Sequence, residues 1–362
     1  MKILFDHQTF SLQRYGGISK YFANLNKEIN ATPGNSSYVS AVYTENEYLK
    51  NDQLLLGNRI GDQIFAGKRD KVYNWNRRYS RWNVRYANYD VFHPTYLDPY
   101  FIKYSKKPFV VTIHDMIYEL MPEMFDNPQE IIRRKQLLIN KADAILAISE
   151  YTKHDILKFY PETENKISVV HHGILPATGA SPAIKSLPPN YILYVGERWL
   201  YKNFNKFLLG ISPLLQADAG LKLICVGGNP FLPTEIELFE QHKIALQCTQ
   251  VNATESELQQ LYHHATLFVF PSLIEGFGLP ILEAFAQGCP VVCSNNTCFP
   301  EIAGDAAVYF DPLLSESIEE AVKRVLHDPA LRDNLKTKGR LRLANFGFAK
   351  CVTKTLAVYE SL

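Results

Sequence analysis

Short apolar runs bounded by turn residues recur along the chain, separated by longer stretches whose apolar positions fall three and four apart. Strands covered on both faces read as continuous apolar runs, so this alternation predicts βαβ units and parallel sheets. In the first half the runs are Lys2–Asp6, Tyr38–Tyr43, Asp90–His93, Phe109–His114, Ala144–Ile148 and Lys166–Val170. In the second half they are Tyr191–Gly196, Lys222–Gly227, Ala245–Val251, Thr266–Phe270, Pro290–Ser294 and Ala307–Phe310. Between the sets, Leu175–Pro189 carries Pro176, Gly179, Pro182, Pro188 and Pro189 without periodicity and reads as a linker. The expected fold class is α/β: two facing Rossmann-like domains with parallel sheets and an interdomain cleft. The first domain spans residues 1–175, the linker 176–189 and the second domain 190–346. A C-terminal helix over 347–362 is expected to cross back to the first domain. Ligands should gather at the C-terminal ends of the strands.

A chain of 362 residues is long for one core and comfortable for two, and 46% hydrophobic content supplies both. Basic and acidic residues nearly cancel, 38 against 37, which argues against nucleic acid as a partner. The six cysteines form no C-x-x-C pair and no histidine cluster has zinc-ligand spacing, so they read as reduced thiols of a cytoplasmic protein. The N-terminus runs straight into a strand, and no apolar stretch is long enough for a bilayer. No P-loop, Ser-His-Asp order or metal-binding carboxylate cluster is visible, and no Asp-x-Asp falls in a strand context, so no metal is expected.

One segment departs from the even charge balance. Residues 68–86 hold seven basic side chains (Lys68, Arg69, Lys71, Arg77, Arg78, Arg81, Arg85) against Asp70. Trp75, Tyr79, Trp82, Tyr86 and Tyr89 recur at helical spacing among them. Two readings of 68–89 stand side by side. In one, the aromatics pack on the first sheet and the arginines face water; in the other, the segment docks on an anionic membrane surface, at the inner face of the membrane.

The densest chemistry lies in Glu275-Gly276-Phe277-Gly278-Leu279-Pro280-Ile281-Leu282-Glu283, directly after the run ending at Phe270 and the turn Pro271-Ser272. Two glycines permit close backbone approach to a ligand, and Pro280 suits a first helical turn. A helix start presents N–H groups and partial positive charge to a pyrophosphate. Glu275 then lies before the helix and Glu283 one turn inside it, so two carboxylates can meet two ends of one ligand. The glycines alone also fit an ordinary βα turn.

With its neighbours, this segment resembles the retaining glycosyltransferases of family 4, which have the GT-B fold. The resemblance rests on the Glu-x7-Glu frame together with Arg14-Tyr15-Gly16-Gly17-Ile18, Thr112-Ile113-His114-Asp115, His172-Gly173-Ile174, Gly196-Glu197-Arg198, Lys202-Asn203 and Pro300-Glu301-Ile302-Ala303-Gly304. It implies that Glu283 binds the ribose and Glu275 the donor sugar. Backbone N–H groups of Phe277, Gly278 and Leu279 would lie near sugar and phosphates, and Gly16 and Gly17 would approach the phosphates. Arg198 and Lys202 would neutralise the departing diphosphate, a metal-free way to stabilise developing charge. His114 would contact the donor sugar, His172 would reach the donor, and the base would lie along backbone near Asn252. His93, at another strand end, fits either an acceptor contact or a packed core histidine.

The Arg14–Gly17 and Thr112–Asp115 segments look most like mannosyltransferases of bacterial surface polysaccharide and lipopolysaccharide synthesis. The resemblance therefore implies no cofactor, with a nucleotide sugar as substrate: GDP-mannose first, a UDP- or other GDP-sugar as the alternative. The acceptor would be a glycan or lipid-linked saccharide. A sugar-nucleotide epimerase of the same fold and a catalytically silent glycan-binding protein are the competing readings.

Overall fold

The computed structural model describes residues 1–50, 54–56, 58–175, 187–198 and 200–362, so residues 176–186 of the expected linker lie outside the described residues. The chain divides into two compact units, one of Met1–His172 with Phe348–Leu362 and one of Gly173–Gly347.

In the first unit the strands are β1 (Lys2–Phe5), β2 (Ser36–Val39), β3 (Val91–His93), β4 (Val110–Ile113), β5 (Ala144–Ala147) and β6 (Ile167–Val169). They run parallel in the order β2-β1-β3, continue through a bridge between Phe92 and Phe109, and finish as β4-β5-β6. Leu4, Phe92, Val111 and Ile145 pack with Phe101 from a turn and with Leu138 and Ile156 from the covering helices into one core. Each such side chain contributes roughly 1.5–3 kcal/mol on leaving water.

The second unit holds β7 (Tyr191–Val195), β8 (Lys222–Val226), β9 (Cys248–Val251), β10 (Leu267–Phe270), β11 (Val291–Ser294) and β12 (Ala307–Phe310). The order β12-β11-β10-β7-β8-β9, all parallel, is the doubly wound dinucleotide-fold arrangement. Winding changes direction between β1 and β3 in the first sheet and between β7 and β10 in the second. Loops leaving two neighbouring strands diverge there, which opens a crevice.

Two strands depart from their sequence ranges by more than one residue at an end. The run Tyr38–Tyr43 pairs with β1 only as far as Val39, because β1 ends at Phe5 and the last contact beyond it is Ser40 N to Phe5 O at 2.8 Å. Val42 and Tyr43 instead donate to Asn76 Oδ1 at 2.7 and 3.3 Å. Ala245–Gln247 forms a single 3-10 turn before β9.

The helix Arg69–Tyr86 is inverted relative to an ordinary amphipathic helix. Its buried side, besides Val72 and Val84, is polar: Asn76 bonds the 42–43 backbone and Ser11, Ser80 Oγ bonds Tyr100 at 2.6 Å, and Asn83 bonds Ser40 at 2.8 Å. Its outer side carries Lys71, Trp75, Arg78, Trp82, Arg85 and Tyr86, with Trp75 49%, Trp82 57% and Tyr86 62% exposed. Arg77 turns inward to Asp98 at 3.3 Å, and Tyr89 is buried. The reading in which all the aromatics pack on the sheet therefore holds for Tyr89 and in part for Tyr79, and fails for the other three.

His93 is wholly buried, with Nδ1 2.5 Å from Tyr359 Oη in the final helix Phe348–Glu360 and Nε2 2.9 Å from Thr112 Oγ1. It is thus the packed histidine of the two alternatives. Burial, and secondarily His114, pushes its pKa down to about 3. His7 is also held near 3, by burial and then by Arg77. Both rings are neutral when folded and take up protons when unfolded, whose ordinary value is about 6.5. Their stabilisation is full above that value and is lost as pH falls from about 6.5 towards 3. Thermal unfolding should therefore show a melting temperature that drops from pH 7 to pH 5. His93→Gln, which keeps a hydrogen-bonding side chain without that titration, should shallow the slope by about one proton. A melting temperature that is flat from pH 7 to pH 5 in the wild type would contradict this.

Candidate active site

In the second unit, β7 runs into Gly196-Glu197-Arg198 and the turn Leu200–Lys202, and β10 runs into Pro271-Ser272 and the loop carrying Glu275. These are the two strands at the winding switch. Glu275 Oε1 accepts from Lys202 Nζ at 2.6 Å and from Ser272 Oγ at 2.8 Å. Both members of the ion pair keep some exposure, 19% for the lysine and 15% for the glutamate side chain. Asn203, left-handed at φ 58°, ties the two loops together by donating from Nδ2 to Pro271 O at 3.1 Å and to Pro312 O at 2.8 Å. Leu273 N also donates to Tyr201 O at 2.7 Å. The Glu275 loop is held from its other side by Asn296 Nδ2 to Leu273 O and by the Cys298 thiol to Glu275 O. Cys298 caps the short helix Phe299–Ala303, which places the Pro300–Gly304 motif behind the loop.

Gly278 caps the helix Leu279–Ala286 at φ 99°, a left-handed conformation that side-chain-bearing residues rarely adopt. A Cβ there would lie 3.3 Å from Ile281 Cδ1. Phe277 is buried and Leu279 half-buried. Glu283, one turn into this helix, is half-buried and accepts from Tyr262 Oη at 3.4 Å. Asn252 is exposed, follows the edge strand β9, and accepts from Gln250 Nε2 at 3.1 Å. Lys202, Glu275, Glu283 and the Phe277–Leu279 backbone thus share the C-terminal edge of the sheet around β7 and β10, with Asn252 farther along that edge.

The structure gives Arg198 different surroundings from Lys202. Its Nε donates to Glu235 Oε1 at 3.0 Å, with the two side chains 5% and 4% exposed. Its other donors reach Gly227 O at 3.1 Å, Asn229 O at 2.5 Å and Pro230 O at 3.2 Å. Gly228 sits so close that a Cβ would lie 2.8 Å from the guanidinium. Arg198 anchors the turn after β8, whereas Lys202, the other cation expected at the diphosphate, pairs with Glu275 and keeps more exposure. Glu235 was not legible as its partner, because it lies at the start of the helix Pro233–Gln241, where an ordinary capping glutamate also fits.

In the first unit, Gly16 and Gly17 cap and open the helix Gly17–Ala31. His114 follows β4, and His172 lies against it, with ring centroids 5.5 Å apart and His172 Nε2 3.4 Å from His114 Nδ1. Tyr21, from the helix opened by Gly17, packs on both rings at 6.0 and 4.3 Å. Burial lowers the His114 pKa to about 4, with Asp115 opposing and Lys135 assisting, and burial also drives His172 well below its ordinary value. Both imidazoles are therefore neutral near pH 7. A cavity of about 50 Å3 is lined by Ile18, Tyr96, His114, Asp115, Tyr118 and Lys135 among others. His114 Nε2 is buried there without a hydrogen-bond partner among the described residues.

Among the described residues, no three His, Cys, Asp or Glu side chains are grouped to hold a metal ion, and no helix is long and apolar enough to cross a membrane. The cysteines are all unpaired thiols.

Residues 15–177 match the Glycosyltransferase Family 4 domain, and residues 182–342 match Glycosyl transferases group 1. O-antigen chain mannosyltransferase B of Escherichia coli is 28% identical over 275 residues, 70% of this chain and 70% of that protein. O-antigen chain mannosyltransferase RfbU of Salmonella typhimurium is 26% identical over 216 residues, 59% of this chain and 60% of the relative, so the match spans less than two thirds of that protein. The solved structure of HepE from Anabaena in complex with UDP and glucose shares the fold with a TM-score of 0.74 over 100% of both chains, at 14% identity. Matched in sequence almost from end to end and in fold over its whole length, this chain belongs to the family 4 glycosyltransferases of the GT-B fold.

Proposed function

We propose that this glycosyltransferase is a retaining, metal-independent mannosyltransferase. It moves mannose from GDP-mannose to a glycan or lipid-linked oligosaccharide in the assembly of a bacterial surface polysaccharide. The observation that carries this reading is the 2.6 Å contact between Lys202 and Glu275 at the winding switch of the second sheet. It sets a carboxylate for sugar hydroxyls beside a cation for the leaving phosphate. The E. coli and Salmonella relatives named for O-antigen mannosyl transfer support mannose and a polysaccharide acceptor. The HepE complex with UDP and glucose keeps a UDP-sugar as the alternative donor. Neither the epimerase nor the silent binding protein draws support from these relatives.

In this mechanism the bond between the anomeric carbon and the phosphate oxygen breaks, and its electron pair leaves with the diphosphate. Lys202 exchanges Glu275 for that phosphate, while Glu275 takes sugar hydroxyls and Glu283 the ribose. The Phe277–Leu279 backbone and the loop ending at Gly16 and Gly17 lie along the phosphates. The base lies near Asn252, and neutral His114, backed by His172, faces the sugar. The acceptor hydroxyl attacks the face that the phosphate has just left and gives its proton to a phosphate oxygen. The protein supplies positioning and charge stabilisation. Arg198 holds the turn after β8 rather than the leaving group.

The acceptor-side partner is an anionic bilayer surface. The inverted helix Arg69–Tyr86 turns Trp75, Trp82 and Tyr86 outward between Lys71, Arg78 and Arg85, the composition that suits a headgroup layer.

Four tests follow from these assignments. Glu283→Ala should weaken binding of free GDP by about 1.5–3 kcal/mol, the worth of a charge-assisted hydrogen bond. Glu275→Ala should weaken binding of GDP-mannose alone, and equal loss for GDP in titration calorimetry would refute that division. Lys202→Ala should lower kcat on the order of a hundredfold with an unchanged melting temperature, and wild-type activity should survive EDTA. Arg198→Ala should instead cost about 3–5 kcal/mol of stability by stranding the Glu235 carboxylate. A stable but inactive Arg198→Ala would return that residue to the leaving group. In liposome co-sedimentation, binding should need anionic lipid and fall with salt. Gln at Lys71, Arg78 and Arg85 should weaken it on the order of a hundredfold, at about 1 kcal/mol per charge. Inward-facing Arg77→Gln should have little effect. Failure of the wild type to bind anionic vesicles at low salt would make the helix ordinary scaffold.

A further inference from the structure

A charged residue sits on the apolar face of the helix Gln129–Lys141. Lys135 shares that face with Leu138 and Ile139 and is only 2% exposed. Its Nζ lies 2.7 Å from Glu119 Oε2, itself on a side chain 2% exposed, and donates at 3.0 Å to the carbonyl of Asp115. The Asp115 carboxylate is 4.0 Å away, and the ammonium stands over the Tyr118 ring at 5.7 Å. Glu119 Oε1 is buried with no hydrogen-bond partner among the described residues. Removing an ion pair of this kind from water is costly, and an apolar pair of similar volume would do as well for stability alone. The stem of Lys135 also lines the same cavity of about 50 Å3 as His114 and Asp115.

We propose that Lys135, braced by Glu119, is a positioning residue that fixes the His114–Asp115 turn through the Asp115 carbonyl and so sets the His114 ring for the sugar. The inference rests on the reading of His114 as a donor-sugar contact. Lys135 acts on the turn in two ways. Its hydrogen bond holds the backbone one residue past His114, and its charge offsets the Asp115 carboxylate beside the imidazole. The titratable groups facing His114 are Asp115 and Lys135, with Glu119 behind them, His172 and His93 in the core, and Tyr21 from the helix Gly17–Ala31. Tyr96 and Tyr118 complete the cavity wall. Of these, Lys135 is a cation opposing protonation and Asp115 an anion favouring it. Loss of Lys135 therefore raises the His114 pKa, and the acid limb of the pH profile moves towards neutrality.

The test compares Lys135→Met, Lys135→Arg and the double variant Lys135→Met/Glu119→Leu in the full chain, using GDP-mannose turnover, melting temperature and the pH dependence of kcat. Lys135→Met should be slower on the order of a hundredfold, as a misplaced contact group is, with GDP affinity unchanged. Lys135→Arg, whose extra atoms the adjoining cavity can take, should return kcat to within a few-fold of the wild type. The double variant should recover the melting temperature yet remain slow, with its acid limb still shifted upward. A double variant with wild-type kcat and an unshifted limb would overturn the proposal, because the pair would then be scaffold. So would a stable Lys135→Arg as slow as Lys135→Met. His114→Ala with normal turnover would instead remove the His114 reading itself, whatever the Lys135 variants do.

Discussion

A parallel strand buried on both faces has no room for chemistry along its length, so function must gather where its backbone leaves the sheet. That constraint organises both units of this chain. Each sheet is wound in two directions, and only at the change of direction do the loops from two adjacent strands part instead of crossing the same helix layer. In the second sheet the parting strands are β7 and β10, and they deliver Lys202 and Glu275 to one contact. In the first, β1 and β3 part, and β4 beside them delivers His114. The core clusters hold the strand ends still, and the polar residues inherit that precision.

Three ion pairs show how burial divides labour. Arg198–Glu235 and Lys135–Glu119 are almost fully withdrawn from water, so opening either would strand a charge in a low-dielectric interior. Such pairs are fixed points: one clamps the turn after β8, the other the backbone after β4. Lys202–Glu275 retains some solvent on both members, so exchanging its partners costs less than opening either of the other two. A contact meant to open for a ligand has this character.

Much of this was legible in the chain. Every apolar run expected to form a strand contains or overlaps one, because continuous burial on both faces leaves a strong one-dimensional signature. The Glu275–Glu283 frame was legible because Gly278 and Pro280 mark a helix start by local backbone chemistry. Long-range choices were not. The early end of β2 depends on Asn76, more than thirty residues onward, drawing the 42–43 backbone away. The Arg198–Glu235 contact could not be read from the chain, because Glu235 lies in another βα unit. Lys135 left a faint sign that periodicity can read: a lysine where the Ile131, Ile132, Leu138 and Ile139 pattern calls for an apolar residue. In the Arg69–Tyr86 helix the aromatic spacing was correctly helical, but spacing alone cannot say which stripe faces inward. The asparagines and serine on the opposite stripe, each meeting a partner in the core, decided it.

If the second winding switch holds a nucleotide-linked mannose for attack from the side its diphosphate leaves, as proposed, the configuration at the anomeric carbon is kept. Nuclear magnetic resonance of the product formed from GDP-α-mannose, with chelator present, tests it most directly. The expected product carries an α-mannosidic linkage, set by retention at the anomeric carbon. A β-linked product, or product formed only after a divalent metal is restored, would contradict it.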